Sequence, residues 1–431
     1  MKDLINKILN GKKPALNEFV EAFSYNLELL SHLESTVQDP DWHGEGNVLI
    51  HTQFVLNEVY KMLDTIAIHL PSEDKLSLIL AAVLHDIGKP LVTKTKEIDG
   101  VPRIVAPYHE GRGCSYLAYR LLEINLPYNV VQQTLRLVAY HHKPKRLVLH
   151  NALKNDYFHL ARLVNTELLF YLAKADMLGR KCKDQNVQCD YIDLFRIFCE
   201  EYNLWGNKNP YDDWRIFFNN ELAHLSDESR DAVFGYAVQD FEQGLIFTPE
   251  EAIARRYPYL KFFPQLMIMC GPSGSGKSTW IQKNLKDYHK ISLDDLRQEH
   301  CKSRGNQKDN SFIMVKAKEQ LKIHLRKHEK VVWDATNLRK DFRSMICQFG
   351  YDYHALVTLI VLHIPESQIF KGNNSRDHQV PKEVIHSQIE TLQWVDDAEA
   401  HRVAFVNHEN SLDFRGFCNS SDEQKERCVS I

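Results

Sequence analysis

The sequence predicts two folded halves of different class, an all-α N-terminal half and an α/β C-terminal half built on a parallel sheet. Three observations predict it. From about residue 15 to 205, apolar residues recur at three- and four-residue spacing, as in LSLILAAVLHDIGK and TELLFYLAKADMLGR. From Leu266 the period changes to short apolar runs, LMIMC, HKISL, KVVWD, ALVTLIVLHI and RVAFVN, which alternate with helical stretches. The length, 431 residues, allows two or three domains with cores of their own. The expected division is 1–205 as the helical domain, 206–258 as a helical connector or insert, 259–411 as the α/β domain and 412–431 as a polar tail.

Composition narrows the class. The chain is 44% hydrophobic and 26% charged with a net charge of −4, so nucleic acid could be met only through local basic patches. The candidates KDYHK, KPKRL (143–147) and KIHLRKHEK (322–330) read first as solvated helix faces. Nine cysteines without a CxxC pair suit a reducing compartment and argue against a structural zinc site. The opening MKDLINKILNGKKPALNEF is amphipathic and broken by charge, unlike a signal peptide. The longest apolar run, Leu76 to Leu84, is too short for a bilayer. The expectation is a soluble cytoplasmic protein without a membrane partner.

In the helical half, His85-Asp86 ends that apolar run and Gly88 follows at once as a helix stop. A histidine and an aspartate side by side at a helix end can reach one metal ion, and the carboxylate can bridge two. His51 shares a helical stripe with Val55 and Val59, and Asp176 shares one with Leu169 and Leu172, so both point inward. A buried carboxylate is costly unless paired or metal-bound. His51, His85, Asp86 and Asp176 therefore make one four-ligand set. The stretch VTKTKEIDGVPRIVAPYH breaks the helical pattern, and its Asp99-Gly100 step reads as a small hairpin or loop. His109 follows it, and His141 ends TLRLVAYHH; these two offer a second site. His142 is an alternative to His141, because helix phase cannot separate neighbours at a frayed end. Such imidazole-rich sites suit Ni²⁺, Co²⁺, Mn²⁺, Fe²⁺ or Zn²⁺, one ion or two, better than Mg²⁺. These metals supply a hydroxide nucleophile for phosphoester cleavage.

In the α/β half, Gly271, Pro272, Ser273, Gly274, Ser275, Gly276, Lys277, Ser278 and Thr279 follow a strand-like run and precede a helical one, the context of a P-loop. Its glycines let backbone N–H groups close around phosphate oxygens. Lys277 is expected on the β- and γ-phosphates of ATP and Ser278 on Mg²⁺. At the end of the next strand, Asp294 can accept the proton of an attacking hydroxyl, with Arg297 one helical turn away. The strand after that ends in Asp334-Ala335-Thr336-Asn337, at the edge where open sheets bind ligands, so Asp334, Thr336 and Asn337 are candidate acceptor contacts. Arg376, in NNSR before Val380-Pro381, can close over the γ-phosphate.

Taken in order, the P-loop, S-x-D-x-x-R, D-A-T-N and N-x-x-R…V-P resemble the polynucleotide 5′-kinase family over about 256–410. The resemblance implies that Lys277 and Ser278 hold ATP and Mg²⁺, that Asp294 is the general base on a 5′-OH, that Arg297 binds the 3′-phosphate flank of the acceptor, and that Arg376 is the lid arginine. Family lids often carry a second basic residue just before the Val-Pro, where this chain has His378 and Gln379. The stretch HDIGKP…DG…PYHE…HH resembles the HD phosphohydrolase superfamily over roughly 40–185. It implies His51, His85, Asp86 and Asp176 as core ligands, with His109 and His141 completing a two-metal version. It also implies that Lys89, three residues after Asp86, neutralises a substrate phosphate. HD modules attached to CCA-adding nucleotidyltransferases are similar, but about 40 residues before the signature leave no room for a polymerase head.

Both halves together, in this order, resemble the bacterial HD–polynucleotide kinase end-healing enzymes. That implies phosphorylation of 5′-OH ends of RNA or DNA, and removal of 2′,3′-cyclic, 2′- or 3′-phosphates before a separate ligase acts. The alternative is a small-molecule nucleoside or nucleotide kinase fused to an HD nucleotidase.

Overall fold

The computed structural model describes residues 1–301, 310–376, 378–407 and 412–415. It divides into two compact units, Met1–Pro210 and Tyr211–Ile431.

The first unit is helical apart from one hairpin. Its centre is the helix Ser72–Leu84, in which every residue from Leu76 to Leu84 is buried. A helix apolar on all sides must be surrounded, and Val48–Asp64, Tyr128–Tyr140 and Thr166–Leu178 pack around it. Two of these neighbours begin on asparagine caps. Asn47 accepts from Ile50 N, and Asn165 accepts from Glu167 N and Leu168 N. A side-chain acceptor there satisfies N–H groups that the first turn leaves unpaired. The predicted hairpin forms: β1 (Lys94–Ile98) pairs antiparallel with β2 (Val101–Val105). Asp99 and Gly100 turn it with φ of 51° and 76°, the left-handed pair that a two-residue turn of matching twist requires.

The second unit holds a six-stranded sheet in the order β4-β5-β3-β6-β7-β8, from β3 (Gln265–Cys270), β4 (His289–Ser292), β5 (Lys330–Asp334), β6 (Leu356–Leu362), β7 (Arg402–Val406) and β8 (Leu412–Arg415). The first five in that order are parallel. Their interior residues are buried, as strands covered by helices on both faces must be. The chain leaves β3 to one side, returns to β5 beside it, then crosses to β6 on the other side. Ligands bind open sheets at such a reversal, and the P-loop follows β3.

Two expectations change. Residues 206–258 were expected as a connector or insert, but the helices Asp212–Glu221, Asp227–Glu242 and Pro249–Arg256 belong to the second unit. Tyr236 donates its hydroxyl to Ala355 O at 3.1 Å, Arg256 Nη2 donates to His354 O at 3.2 Å, and Arg402 Nη1 lies 3.3 Å from Asp231. Aromatic and charged side chains that look like linker composition are here the polar seam of a helical layer. Residues 412–415, expected in the polar tail, form β8, which pairs antiparallel with β7. The rest of the expected tail, 416–431, lies outside the described residues.

Candidate functional site

The helical unit gathers its histidines and aspartates at the end of the central helix. His85 caps that helix and Asp86 follows. Gly88 allows the helix His109–Arg120 to close in: a Cβ on Gly88 would lie 2.1 Å from His109 O and 2.6 Å from Gly113 N. That approach sets His109 Nε2 3.0 Å from Asp86 Oδ1, while Asp86 Oδ2 lies 3.2 Å from His85 Nε2 and 3.7 Å from His51 Nε2. The two oxygens thus face different partners. On one side His51, His85 and Asp176 form a potential three-ligand group; on the other, His109, His141 and His142 form a second. Both neighbours left open by helix phase reach the second group, but differently. His141 is almost fully buried with its ring 5.3 Å from that of His85, whereas His142 is half-buried and 4.9 Å from His109.

The imidazoles are oriented alike. His85, His109 and His141 each donate from Nδ1 to the carbonyl three residues back, Ala82, Ala106 and Val138, at 2.9, 2.8 and 2.8 Å. A carbonyl can only accept, so Nδ1 carries the proton and Nε2 is left as a donor atom for a metal. His141 Nε2 is buried with no hydrogen-bond partner. Buried polar atoms are rarely left so, and a cation at the centre of this set satisfies it. The residues fit a metal.

Two of the neighbours that balance the charges, Arg180 and Glu45, were not singled out by sequence patterning. Arg180 donates to both oxygens of Asp176, at 3.1 and 3.0 Å from Nη2. Burial pushes the Asp176 carboxyl up, but the Arg180 charge and the His51 hydrogen bond hold it well below the usual carboxylate range. Burial likewise opposes ionisation of Asp86, which His85, Lys89 and His109 reverse. Lys89 Nζ sits 2.7 Å from Asp86 Oδ2 and donates to Gln38 at 2.6 Å. His51 stands between carboxylates, with Asp176 3.0 Å from Nε2 and Glu45 3.0 Å from Nδ1. These outweigh burial and raise its proton affinity. At His141 burial first, then His85 and His109, outweigh the more weakly acting Asp176 and Asp86 and push it down to about 3. Arg180 was detectable, one helical turn beyond Asp176. Glu45 was not, because residues 39–47 form no helix or strand and so carry no period.

In the second unit the P-loop joins β3 to the helix Lys277–Asn284. Gly274 and Gly276 take φ of 89° and 93°, and a Cβ on Gly274 would meet Ile369 O at 2.4 Å. Lys277 Nζ donates to Gly271 O at 2.8 Å and Pro272 O at 2.9 Å. Burial, opposed by Asp334 and Asp294 and joined by Arg376, pushes its pKa down to about 8. Asp294 and Arg376, far apart in sequence, thus both act electrostatically on the P-loop lysine. Asp294 is exposed in the first turn after β4 and bonds to Arg297 Nη1 at 2.5 Å. Asn373 clamps the segment bearing Arg376, accepting from Val380 N at 2.9 Å and donating to Val380 O at 2.8 Å. At one of the departures from the family lid pattern, Gln379 donates to Asn374 O at 3.0 Å.

The D-A-T-N residues, expected as acceptor contacts, make contacts with the P-loop and its strand. Asp334 is buried beside Ser278, whose hydroxyl donates to Oδ2 at 3.3 Å, so it stands on the cation side of the P-loop. Burial raises its pKa. Thr336 O accepts from Gly271 N at 3.0 Å, and Asn337, at φ 47°, donates to Met269 O at 2.6 Å. Both brace the P-loop strand. Gln388, which no motif singled out, accepts from Ser273 N at 2.8 Å.

Residues 56–180 match the family model described as HD domain, and residues 266–395 match the one described as AAA domain. The chain carries an HD domain followed by a P-loop, kinase-like domain. All the candidate metal ligands except His51 lie within the first match, and the P-loop lies within the second. No curated protein matches the chain. Among solved structures, a gluconokinase from Sinorhizobium meliloti 1021 is 22% identical, covering 34% of this chain and 84% of its own, with a TM-score of 0.26. A structure from the PezAT chromosomal toxin–antitoxin system of Streptococcus pneumoniae is 15% identical, covering 41% of this chain and 84% of its own, with a TM-score of 0.28. No helix among the described residues is long and apolar enough to cross a membrane.

Proposed function

We propose that this protein heals nucleic-acid ends, phosphorylating a 5′-OH and clearing a 2′,3′-cyclic, 2′- or 3′-phosphate of RNA or DNA so that a separate ligase can act. The observation that carries it is the exposure of Asp294, whose side chain is 59% accessible beside the P-loop. An acceptor at the end of a long chain needs an open approach to its base.

In the kinase step the 5′-oxygen attacks the γ-phosphorus of ATP, the bond to the β-phosphate oxygen breaks, and ADP leaves. Asp294 takes the hydroxyl proton and Arg297 positions the acceptor's flanking phosphate. Lys277 and Arg376 hold the transferring phosphoryl group. Ser278 and Asp334 would hold Mg²⁺, which neutralises charge on the phosphate oxygens when bound.

In the HD domain, His51, His85, Asp86 and Asp176 would hold one transition-metal ion, and His109, His141 and Asp86 a second. Such ions, when bound, lower the pKa of water and polarise a phosphoester. The chain's own contribution is to fix the imidazole tautomers through Ala82, Ala106 and Val138, and to hold Lys89 on Asp86, from where it would neutralise a substrate phosphate.

The test is one RNA oligonucleotide with a 5′-OH and a 2′,3′-cyclic phosphate, incubated with ATP, Mg²⁺ and Ni²⁺ or Mn²⁺. A gained 5′-phosphate with an opened or removed 3′-terminal phosphate supports end healing. Unchanged ends, with turnover of free nucleosides or nucleotides, overturn it in favour of a small-molecule enzyme.

A further inference from the structure

A cavity of about 220 Å³ opens beside the candidate metal ligands, and Lys89, His109, His142 and Arg180 line it together with His43 and Trp42. Trp42 is a large aromatic side chain left 42% exposed where it lines this cavity, whose walls also include the apolar Val37, Ile104 and Val105. The loop that carries it is irregular but held at several points. Asp39 accepts from Ile104 N of β2 at 3.1 Å and from Asp41 N at 3.1 Å, and its carbonyl accepts from Trp42 N at 3.2 Å and His43 N at 2.8 Å. Gln38 and Glu45, flanking it, reach Lys89 and His51.

One surface of the indole is covered. The Arg103 guanidinium lies 5.4 Å from the ring centroid, and is itself held by Asp39 at 3.2 Å and by Asp41. Arg103 is on β2, so hairpin and loop are fastened together around the tryptophan. A guanidinium held over one side of an indole fixes the ring in place and leaves its other side for a second stacking partner. An aromatic ring fixed at the mouth of a phosphoester site, with a lysine inside for the phosphate, has the form of a base-stacking platform.

We propose that Trp42, braced by Arg103, stacks the terminal nucleobase of the HD domain's substrate, so that this site selects nucleoside phosphates over phosphoesters lacking a base. The inference rests on the proposed hydrolysis of terminal nucleotide phosphates, and its test uses mononucleotides so that the two can fail separately.

The experiment compares 2′,3′-cyclic AMP, 3′-AMP and glycerol 2-phosphate as substrates of the metal-loaded full-length protein. Wild type should show a KM for the nucleotides well below that for glycerol 2-phosphate. Trp42→Ala should raise the nucleotide KM by about 10- to 100-fold with a much smaller change in kcat. Trp42→Phe, which keeps a stacking ring, should recover most of that loss, and Arg103→Gln should show an intermediate KM. Metal content and melting temperature check that each variant is folded and loaded. A wild-type KM indifferent to the base, or a nucleotide KM that Trp42→Ala leaves unchanged, overturns the platform. If Trp42→Ala still clears RNA ends at wild-type KM, the platform falls while end healing stands. If mononucleotides show the Trp42 dependence while RNA ends are untouched, the platform stands and end healing falls.

Discussion

Arg180 holds Asp176 by both carboxylate oxygens, one helical turn apart on the same chain segment, with its Nη2 3.1 Å from one and 3.0 Å from the other. The pair lies beside His51, so the guanidinium compensates a ligand that would otherwise be a buried, partly unpaired anion. Arg180→Ala should destabilise the metal-stripped protein by about 3 kcal/mol, the usual cost of removing one member of a buried pair. Added Ni²⁺ or Mn²⁺ should restore much of that, because the cation replaces the missing charge. Thermal melts with and without metal check this; equal losses in both conditions would assign Arg180 a packing role only.

Glu45 presents Oε1 to His43 at 2.8 Å and to His51 at 3.0 Å, and Oε2 accepts from Lys181 N at 2.8 Å. Partners behind a ligating imidazole typically affect metal affinity by about 10- to 100-fold. Glu45→Ala should weaken metal binding on that scale. Glu45→Gln, which keeps an oxygen toward His51 Nδ1, should lose less. Calorimetric metal titration distinguishes them.

The two chemistries should separate by mutation. Lys277→Ala or Asp294→Ala should abolish ATP-dependent phosphorylation and spare metal-dependent hydrolysis; His85→Ala or Asp86→Ala should do the reverse. Assays of both activities on each purified variant settle it, and a folded variant that loses both would mean the sites are not independent.

Nucleotide affinity should fall with alkaline pH. Burial lowers the Lys277 pKa to about 8 from an ordinary value of 10.5. The protonated form is the one that attracts phosphate. If ATP binds only that form, its dissociation constant should rise about tenfold between pH 7 and pH 9. For stability the sign is opposite. A lysine whose folded pKa is depressed carries its full penalty below pH 8, and the penalty fades as pH rises toward 10.5. Equilibrium binding across that range checks the first; a flat profile would mean Lys277 keeps its proton throughout.

Gly274→Ala should disable the P-loop without touching the HD domain. Its Cβ would meet Ile369 O at 2.4 Å in a backbone at φ 89°, so both clash and strain oppose it. We expect ATP binding to be lost and metal-dependent hydrolysis retained.

Much of the site was legible in the sequence because helix period reports direction. His51 and Asp176 lie on apolar stripes, and a polar residue on such a stripe has to point into the core, where the structure places both. The P-loop and the residues at strand ends were legible for a related reason: a parallel sheet delivers every strand's C-terminal end to the same edge. The hairpin at Asp99-Gly100 was legible from its turn chemistry.

What the sequence by itself determined is therefore the class of each half, the placement of the P-loop after a strand, and the inward set of histidines and aspartates. Only the tertiary structure decided what lies behind and around them. Glu45, Gln38 and Trp42 sit in an irregular loop with no period, so nothing local says which way they point. Asp334 and Asn337 sit where an acceptor contact is expected, yet one faces Ser278 and the other bonds to Met269 O. Local patterning fixes the direction of a side chain relative to its own helix or strand. The partner it meets depends on which distant segment packs against that element, and that is settled only when the chain folds.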